Sequence, residues 1–255
     1  APSDHFLPQS EFLLENFDSF DEFTDDGSII LFGIKPTFPS NSYGYIEKGR
    51  ENGDLFEVAS FKEKPNTKKA EKYLNDGKYL WNSGIFLFRA SDFLKRMEEF
   101  NPSILRLCEE SLNGAHILQE YIYLKNQPYE NLEKISIDYA LLEKTPHLKV
   151  IETDATWGDL GTWKSVQDHS LKDDDGNTLI GNVHIDNVKK SYINSDNENL
   201  IVSGLEDLLV IGRNNHLIIS SRDSIENINH IIRDVGSNQN EDYSIRPWGK
   251  FKTLF

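Results

Sequence analysis

A chain of 255 residues, 38% hydrophobic and 27% charged, has the composition of an ordinary globular protein and is long enough for one domain or for a domain with a smaller appendage. The formal charge of -15 excludes a nucleic-acid surface, which needs a basic stripe that no segment supplies, but it leaves room for an anionic small substrate held by a few lysines and a metal ion. No apolar run approaches the roughly 18 residues of a membrane span and the N-terminus lacks the form of a secretion signal, so no membrane partner and a cytoplasmic location are expected.

Residues 9–23 have helical spacing, with Phe12, Leu13, Phe17 and Phe20 near one face, and Asp25-Asp26-Gly27 ends the pattern. The continuous apolar run Ile29–Ile34 then suits a strand buried on both faces in a parallel or mixed sheet. After Pro36 and Pro39, Tyr43-Gly44-Tyr45-Ile46 and the alternating stretch Phe56–Phe61 read as further strands. The next helix has Thr67 as its expected cap and Gly77 as its stop.

Ile85–Phe88 is a second buried strand, and Ser91 is expected to cap the helix that Asn101-Pro102 breaks. Ser103 restarts a helix in which Ile104, Leu105, Cys108 and Leu112 share a face. Cys108 is the only cysteine, so it reads as small core filler, and an internal disulfide is impossible. Ser136 opens one more helix, ending near Thr145-Pro146, before the strand Leu148–Ile151.

From about residue 177 the texture changes to short strands punctuated by Asn, Asp, Gly and Ser: Thr178–Ile180, Tyr192-Ile193, Leu200–Val202, Leu208–Ile211 and Leu217–Ile219. A helix is expected over 224–235, then a polar linker over 237–242 and an apolar restart at Arg246-Pro247-Trp248-Gly249. Alternating buried strands and amphipathic helices followed by regular short strands indicate an α/β layer fold and a small β-rich, β-solenoid-like module.

Several residues have two readings. Glu63 and Lys64 leave a strand just before Pro65, either as a solvated pair or as a carboxylate for sugar hydroxyls beside an ammonium for a phosphate. Asn82-Ser83-Gly84 precedes a core strand, either as a bulge or with Asn82 reading a hydroxyl. Tyr43, Tyr45, Trp157 and Trp163 either cover a sugar or pack a core, and Gly44 is flanked by two of them at a strand start. Asp159 lies in a strand-to-helix connection, either as a cap or, with Asp4, as a Mg²⁺ carboxylate. No nucleophile triad signature and no His-Glu-x-x-His zinc motif occurs.

The ordered series Pro2-Ser3-Asp4-His5, Phe32–Thr37, Tyr43–Ile46, Phe61-Lys62-Glu63-Lys64-Pro65, Trp81-Asn82-Ser83-Gly84-Ile85-Phe86, Ser136-Ile137-Asp138 and Trp157–Trp163 resembles bacterial mannose-1-phosphate guanylyltransferases over nearly the whole chain. Arg246-Pro247-Trp248-Gly249 resembles the start of the cupin-type isomerase domain of their bifunctional members. The resemblance implies transfer of GMP from GTP to mannose 1-phosphate. It makes Asp4 and Asp159 the Mg²⁺ carboxylates, Lys64 the catalytic partner of the sugar phosphate, and Gly44, Glu63 and Asn82 the sugar contacts; it assigns Asp138 no role beyond a helix start.

The implied fold is a Rossmann-like nucleotidyltransferase layer over 1–172, a β-rich module over 173–236, and a linker with the start of a cupin domain over 237–255. The family's glycine-rich triphosphate loop does not occur in these 255 residues, which open on Ala1. The layer is therefore expected to be incomplete, with an open sheet edge, and the chain to bind sugar phosphate weakly and to be inactive alone. A thymidylyl- or uridylyltransferase acting on glucose 1-phosphate, a non-catalytic regulatory homologue and a homo-oligomer remain open.

Overall fold

The computed structural model describes residues 1–11, 13, 20–118, 120–213, 216–221, 224, 243–246 and 249–252. They fall into two compact units, one of residues 1–3 and 7–157 and the other of residues 4–6 and 158–255. Phe12 and Phe17 of the first expected helix, the helix expected after Ser224, the linker at 237–242 and Pro247-Trp248 lie outside the described residues.

The first unit contains, in order, α1 (Phe20–Phe23), β1 (Ile29–Ile34), β2 (Tyr45–Asn52), β3 (Leu55–Lys62), α2 (Thr67–Asp76), β4 (Tyr79–Leu87), α3 (Ala90–Phe100), α4 (Pro102–Asn113), β5 (His116–Leu118), β6 (Tyr121–Tyr123), α5 (Asn126–Glu130) and β7 (Leu148–Thr153). Every residue of β1 is buried, because β1 pairs antiparallel with β4 on one side and parallel with β7 on the other. That is the two-sided burial its apolar run predicts.

The expected layer differs in one respect. Its sheet closes on itself in the order β1-β4-β2-β3-β7, so each of these five strands has two neighbours and none keeps the open edge expected from the sequence. Pairing of β2 with β3 shifts between Glu47 and Lys48 and again between Lys48 and Glu51. Such irregularities bend a hairpin. They bring Phe56 and Glu57 opposite Val150 and Lys149 of β7. Ile29, Leu31, Ile46, Leu80, Leu141 and Val150 form the main core cluster.

Local signals place the helices with small corrections. Asn66, not Thr67, caps α2, its Oδ1 accepting from Lys69 N at 3.0 Å, and Gly77 ends the helix with φ +72°. Ser91 lies inside α3 instead of capping it, and α4 starts on Pro102, whose missing N–H costs nothing in a first turn. Cys108 is exposed, as is Leu112, which corrects the expected inner face of α4. The buried stripe runs instead through Ile104 to Ser111, which is 1% exposed and donates from Oγ to Lys125 O at 2.8 Å.

The helix expected from Ser136 is a single wide turn over Asp138–Leu142, closed by Glu143 N donating to Asp138 O at 2.9 Å. The hairpin β5–β6 and the short α5 have no counterpart in the sequence reading.

The second unit holds α6 (Trp163–His169), β8 (Thr178–Asp186), β9 (Tyr192–Ser203), β10 (Leu208–Arg213), β11 (His216–Ser221) and the hairpin β12 (Tyr243–Arg246) with β13 (Gly249–Lys252). The β-rich module expected here is present as a four-stranded sheet in which β8, β9 and β10 run parallel and β11 returns antiparallel. Thr178, Tyr192 and Leu209 stand at successive levels of one ladder. The register shift between Gly181 and Val183, with Gly181 at φ +92°, bends β8. The two expected strands Tyr192-Ile193 and Leu200–Val202 are halves of β9.

Candidate functional site

Three adjacent strands bring the predicted sugar contacts together. β2 pairs with β3 through Tyr45 and Lys62 and with β4 through Tyr45 and Trp81. Gly44, Glu63 and Asn82, each the next residue along, therefore meet at one level of the sheet, just before β2 begins, just after β3 ends and within β4. Asn82 N donates to Gly44 O at 2.8 Å. A Cβ at residue 44 would stand 2.6 Å from Glu63 Oε2 and 3.4 Å from Asn82 Cβ, so only glycine admits this approach without displacing the carboxylate.

Asn82 meets the bulge reading. Gly84, at φ +73°, donates from N to Asn82 Oδ1 at 3.1 Å, and Ser83 Oγ donates to Phe32 O at 2.6 Å, which is the work of a bulge. Asn82 Nδ2 donates to Asp138 Oδ1 at 3.1 Å. The amide thus keeps one N–H and one oxygen lone pair beyond these two bonds.

The Glu63 side chain is only 10% exposed, whereas that of Lys64 is 63% exposed, with Nζ 3.5 Å from Glu63 Oε1. Burial pushes the Glu63 carboxyl above its ordinary value, and the negative Asp138 adds to this; Lys64 opposes it, and Glu143 adds a smaller upward push. Lys64 has φ +40°, a costly conformation for a residue with a Cβ. Its ammonium lies beside the Glu63 carboxylate.

The aromatic residues pack a core and do not line an open face. Tyr45 is fully buried and its hydroxyl donates to Ser40 O at 3.0 Å. Tyr43 lies edge-on between Trp81 and Trp157, at 5.1 and 5.0 Å between ring centroids. In the second unit Trp163 packs with Tyr192, Leu209 and Ile211.

The second unit also carries both aspartates. Phe6 and Gly158 exchange backbone hydrogen bonds of 2.8 and 3.1 Å, which lays the segment bearing Asp4 alongside the one bearing Asp159. Asp159 does not cap α6, correcting one of its readings; Thr162 does, accepting at Oγ1 from Ser165 N at 3.1 Å. Asp159 Oδ1 instead accepts from Gly161 N at 3.1 Å. Among the described residues no group of three or more His, Cys, Asp or Glu is gathered to cage a metal. Mg²⁺ binds through one or two carboxylates and completes its shell with water and phosphate, so a site for it needs no such cage.

The residue that sequence reasoning passed over is Asp138, which belongs to the Glu63–Asn82 cluster. Its signal was its membership of the ordered motif series.

The chain is similar to several known proteins. A family model described as nucleotidyl transferase matches residues 1–176. The chain is 32% identical over 263 residues to a mannose-1-phosphate guanylyltransferase of Escherichia coli, covering 99% of this chain and 57% of the relative. It is 33% identical to one from Salmonella muenchen, covering 99% and 54%. The chain thus spans about half the length of the curated relatives it matches. The crystal structure of mannose-1-phosphate geranyltransferase from Thermus thermophilus superposes with a TM-score of 0.80 at 25% identity, over 92% of this chain and 68% of that one.

Proposed function

The chain belongs to the nucleotidyl transferase family, and from that premise we propose that it carries the sugar-phosphate and metal half-sites of an enzyme that transfers GMP from GTP to mannose 1-phosphate, releasing pyrophosphate and GDP-mannose. The observation that supports this most is the convergence of Gly44, Glu63 and Asn82 at one level of three adjacent strands, with the Lys64 ammonium beside Glu63.

Attack of a sugar phosphate oxygen on the α-phosphorus of a nucleotide needs alignment and charge neutralisation more than it needs a protein nucleophile. Glu63 accepts from sugar hydroxyls, Asn82 donates and accepts at once, and Gly44 lets the ring approach the backbone. Lys64 takes the sugar phosphate as a compact point charge. Asp4 and Asp159 would hold Mg²⁺. When bound, the ion would neutralise charge on the reacting phosphates.

The β-rich module over 173–236 reads as turns of a β-solenoid. Its support is that parallel ladders recur on three stretches: Thr178 with Tyr192 and Leu209, Val183 with Leu200, and Lys189 with Glu206. We place the nucleotidyltransferase domain at 1–172 and the start of a further domain after the linker, and the protein in the cytoplasm.

The test is calorimetric titration of the chain with mannose 1-phosphate, glucose 1-phosphate and free mannose. Mannose 1-phosphate is expected to bind best, and Lys64→Ala to weaken it by about tenfold, the scale of one charge-assisted contact, while leaving any binding of free mannose unchanged. Preference for glucose 1-phosphate, or indifference to Lys64→Ala, would overturn the reading.

A further inference from the structure

Asn82 is the only residue of the sugar cluster whose side chain has two chemically different ends, and what decides which end faces a ligand lies 56 positions away. An amide with no fixed neighbours can present either its oxygen or its nitrogen to a hydroxyl. Here the oxygen is committed to Gly84 N at 3.1 Å and the nitrogen to Asp138 Oδ1 at 3.1 Å. Turning the amide over would set its oxygen against the Asp138 carboxylate and its N–H₂ against the Gly84 N–H, a clash of like dipoles at both ends.

Asp138 is itself held for this task. It opens the wide turn closed onto its own carbonyl by Glu143 N, and Ala140 N donates to Ser136 O at 2.9 Å just before it. The three residues that follow the exposed Tyr139, Ala140 to Leu142, are buried, which anchors the turn in the core. A single wide turn where an ordinary helix is expected is a feature that recurs at functional sites.

We propose that Asp138 is a positioning residue of the sugar pocket, fixing the orientation of the Asn82 amide by its hydrogen bond and bringing a second carboxylate to the pocket that holds Glu63. It touches no substrate in this scheme. The inference rests on the sugar-pocket reading of Gly44, Glu63 and Asn82, and it adds the origin of that pocket's pH response.

The groups whose charge acts on Glu63 are Asp138, Lys64 and Glu143. Asp138 and Glu143 raise its proton affinity on top of burial, and Lys64 lowers it. If sugar hydroxyls are accepted by ionised Glu63, affinity falls on the acid side as Glu63 takes up its proton. Removing the Asp138 charge moves that limb to lower pH. A merely structural role would weaken binding at every pH and leave the limb where it was.

Two substitutions separate the parts of the proposal. Asp138→Asn retains a carbonyl oxygen for Asn82 Nδ2 but not the charge, and Asp138→Ala removes both. The carboxyl carbon of Glu63 is titrated by NMR in the ligand-free chain, together with the Asn82 side-chain amide resonances, in wild type and both variants. Mannose 1-phosphate affinity is then measured across the same pH range.

Asp138→Asn is expected to lower the Glu63 midpoint and to carry the acidic limb of binding with it. Asp138→Ala is expected to collapse the distinct Asn82 amide resonances and to weaken binding about tenfold on the alkaline plateau of the binding profile as well. Asp138→Glu, which keeps charge and acceptor, restores part of the affinity. An unmoved Glu63 midpoint in Asp138→Asn, or unchanged Asn82 resonances in Asp138→Ala, would overturn the proposal. If the wild-type chain binds no mannose 1-phosphate, the sugar-pocket reading fails, and the ligand-free titrations still decide the role of Asp138.

Discussion

Glu63 Oε2 stands 2.6 Å from the point where a Cβ on Gly44 would lie. The neighbour is the far end of a flexible side chain, so the fold can absorb a methyl group by moving the carboxylate, and the site cannot. Gly44→Ala is expected to cost less than about 1.5 kcal/mol of stability. Mannose 1-phosphate affinity should fall about tenfold or more, since the displaced carboxylate loses a charge-assisted bond. Thermal melting read beside calorimetry checks this, and a stability loss with unchanged affinity would refute it.

Glu63 binds its proton more tightly in the folded chain than in the unfolded one, because burial and then the Asp138 charge disfavour its ionised form. Below the unfolded carboxyl range both states are protonated and no stability is lost. As pH rises through that range the unfolded chain ionises first, and the folded state loses relative stability until its own carboxyl ionises. Glu63→Gln should therefore melt above wild type at about pH 7, with the difference vanishing near about pH 4. The pair with Lys64 offsets little of this, because the lysine side chain is 63% exposed. A lower melting temperature for the variant at neutral pH would contradict the assignment.

The parts of the fold legible in the sequence are those fixed by local chemistry. Six consecutive apolar residues can only be buried on both faces, and Ile29–Ile34 is. Gly77 stops α2 because it alone among nearby residues takes φ +72° without cost. Gly44, Glu63 and Asn82 were each ambiguous taken singly, since a turn needs the same residue types as a sugar site. Only the pairing of β2 with β3 on one side and β4 on the other sets them side by side, and no periodicity announces which strands pair or in what register. Asp138 was hidden for the same reason, its partner being reached through tertiary structure. Cys108 misled because a helical face drawn through 104, 108 and 112 lies one residue away from the stripe ending at Ser111, which a buried hydroxyl bond to Lys125 defines.

His169 leaves no room for a side chain at Gly158, the residue that pairs with Phe6 and precedes Asp159. A Cβ there would stand 2.8 Å from His169 Nε2 and 2.9 Å from Nδ1. The ring cannot withdraw freely, because its Nδ1 lies 2.8 Å from Ser165 O and the Phe6 ring lies tilted against it with centroids 5.0 Å apart. Gly158→Ala is expected to destabilise the second unit by about 1–3 kcal/mol. It should also weaken Mn²⁺, used as a paramagnetic stand-in for Mg²⁺, as strongly as Asp159→Asn does. Unaltered Mn²⁺ relaxation in the variant would separate the pairing from the metal site.

Asn177 ties successive levels of the β-rich module through its side chain. It is 1% exposed, its Nδ2 donates to Val188 O at 2.8 Å and to Asp173 Oδ2 at 3.1 Å, and its Oδ1 accepts from Ser191 N at 3.0 Å. Asn177→Ala strands a buried carbonyl and a buried N–H, each costing about 1–3 kcal/mol when left without a partner. A loss of about 2–4 kcal/mol is therefore expected. It should be confined to the second unit, where Thr178, Tyr192 and Leu209 depend on the same register. Hydrogen exchange reads the two units separately. Faster exchange at the amides of β8 to β10 with unchanged protection of β1 and β4 is the expected result, because β1 and β4 draw their stability from the ring in the first unit. Uniform loss of protection across both units would show instead that the module and the ring unfold together.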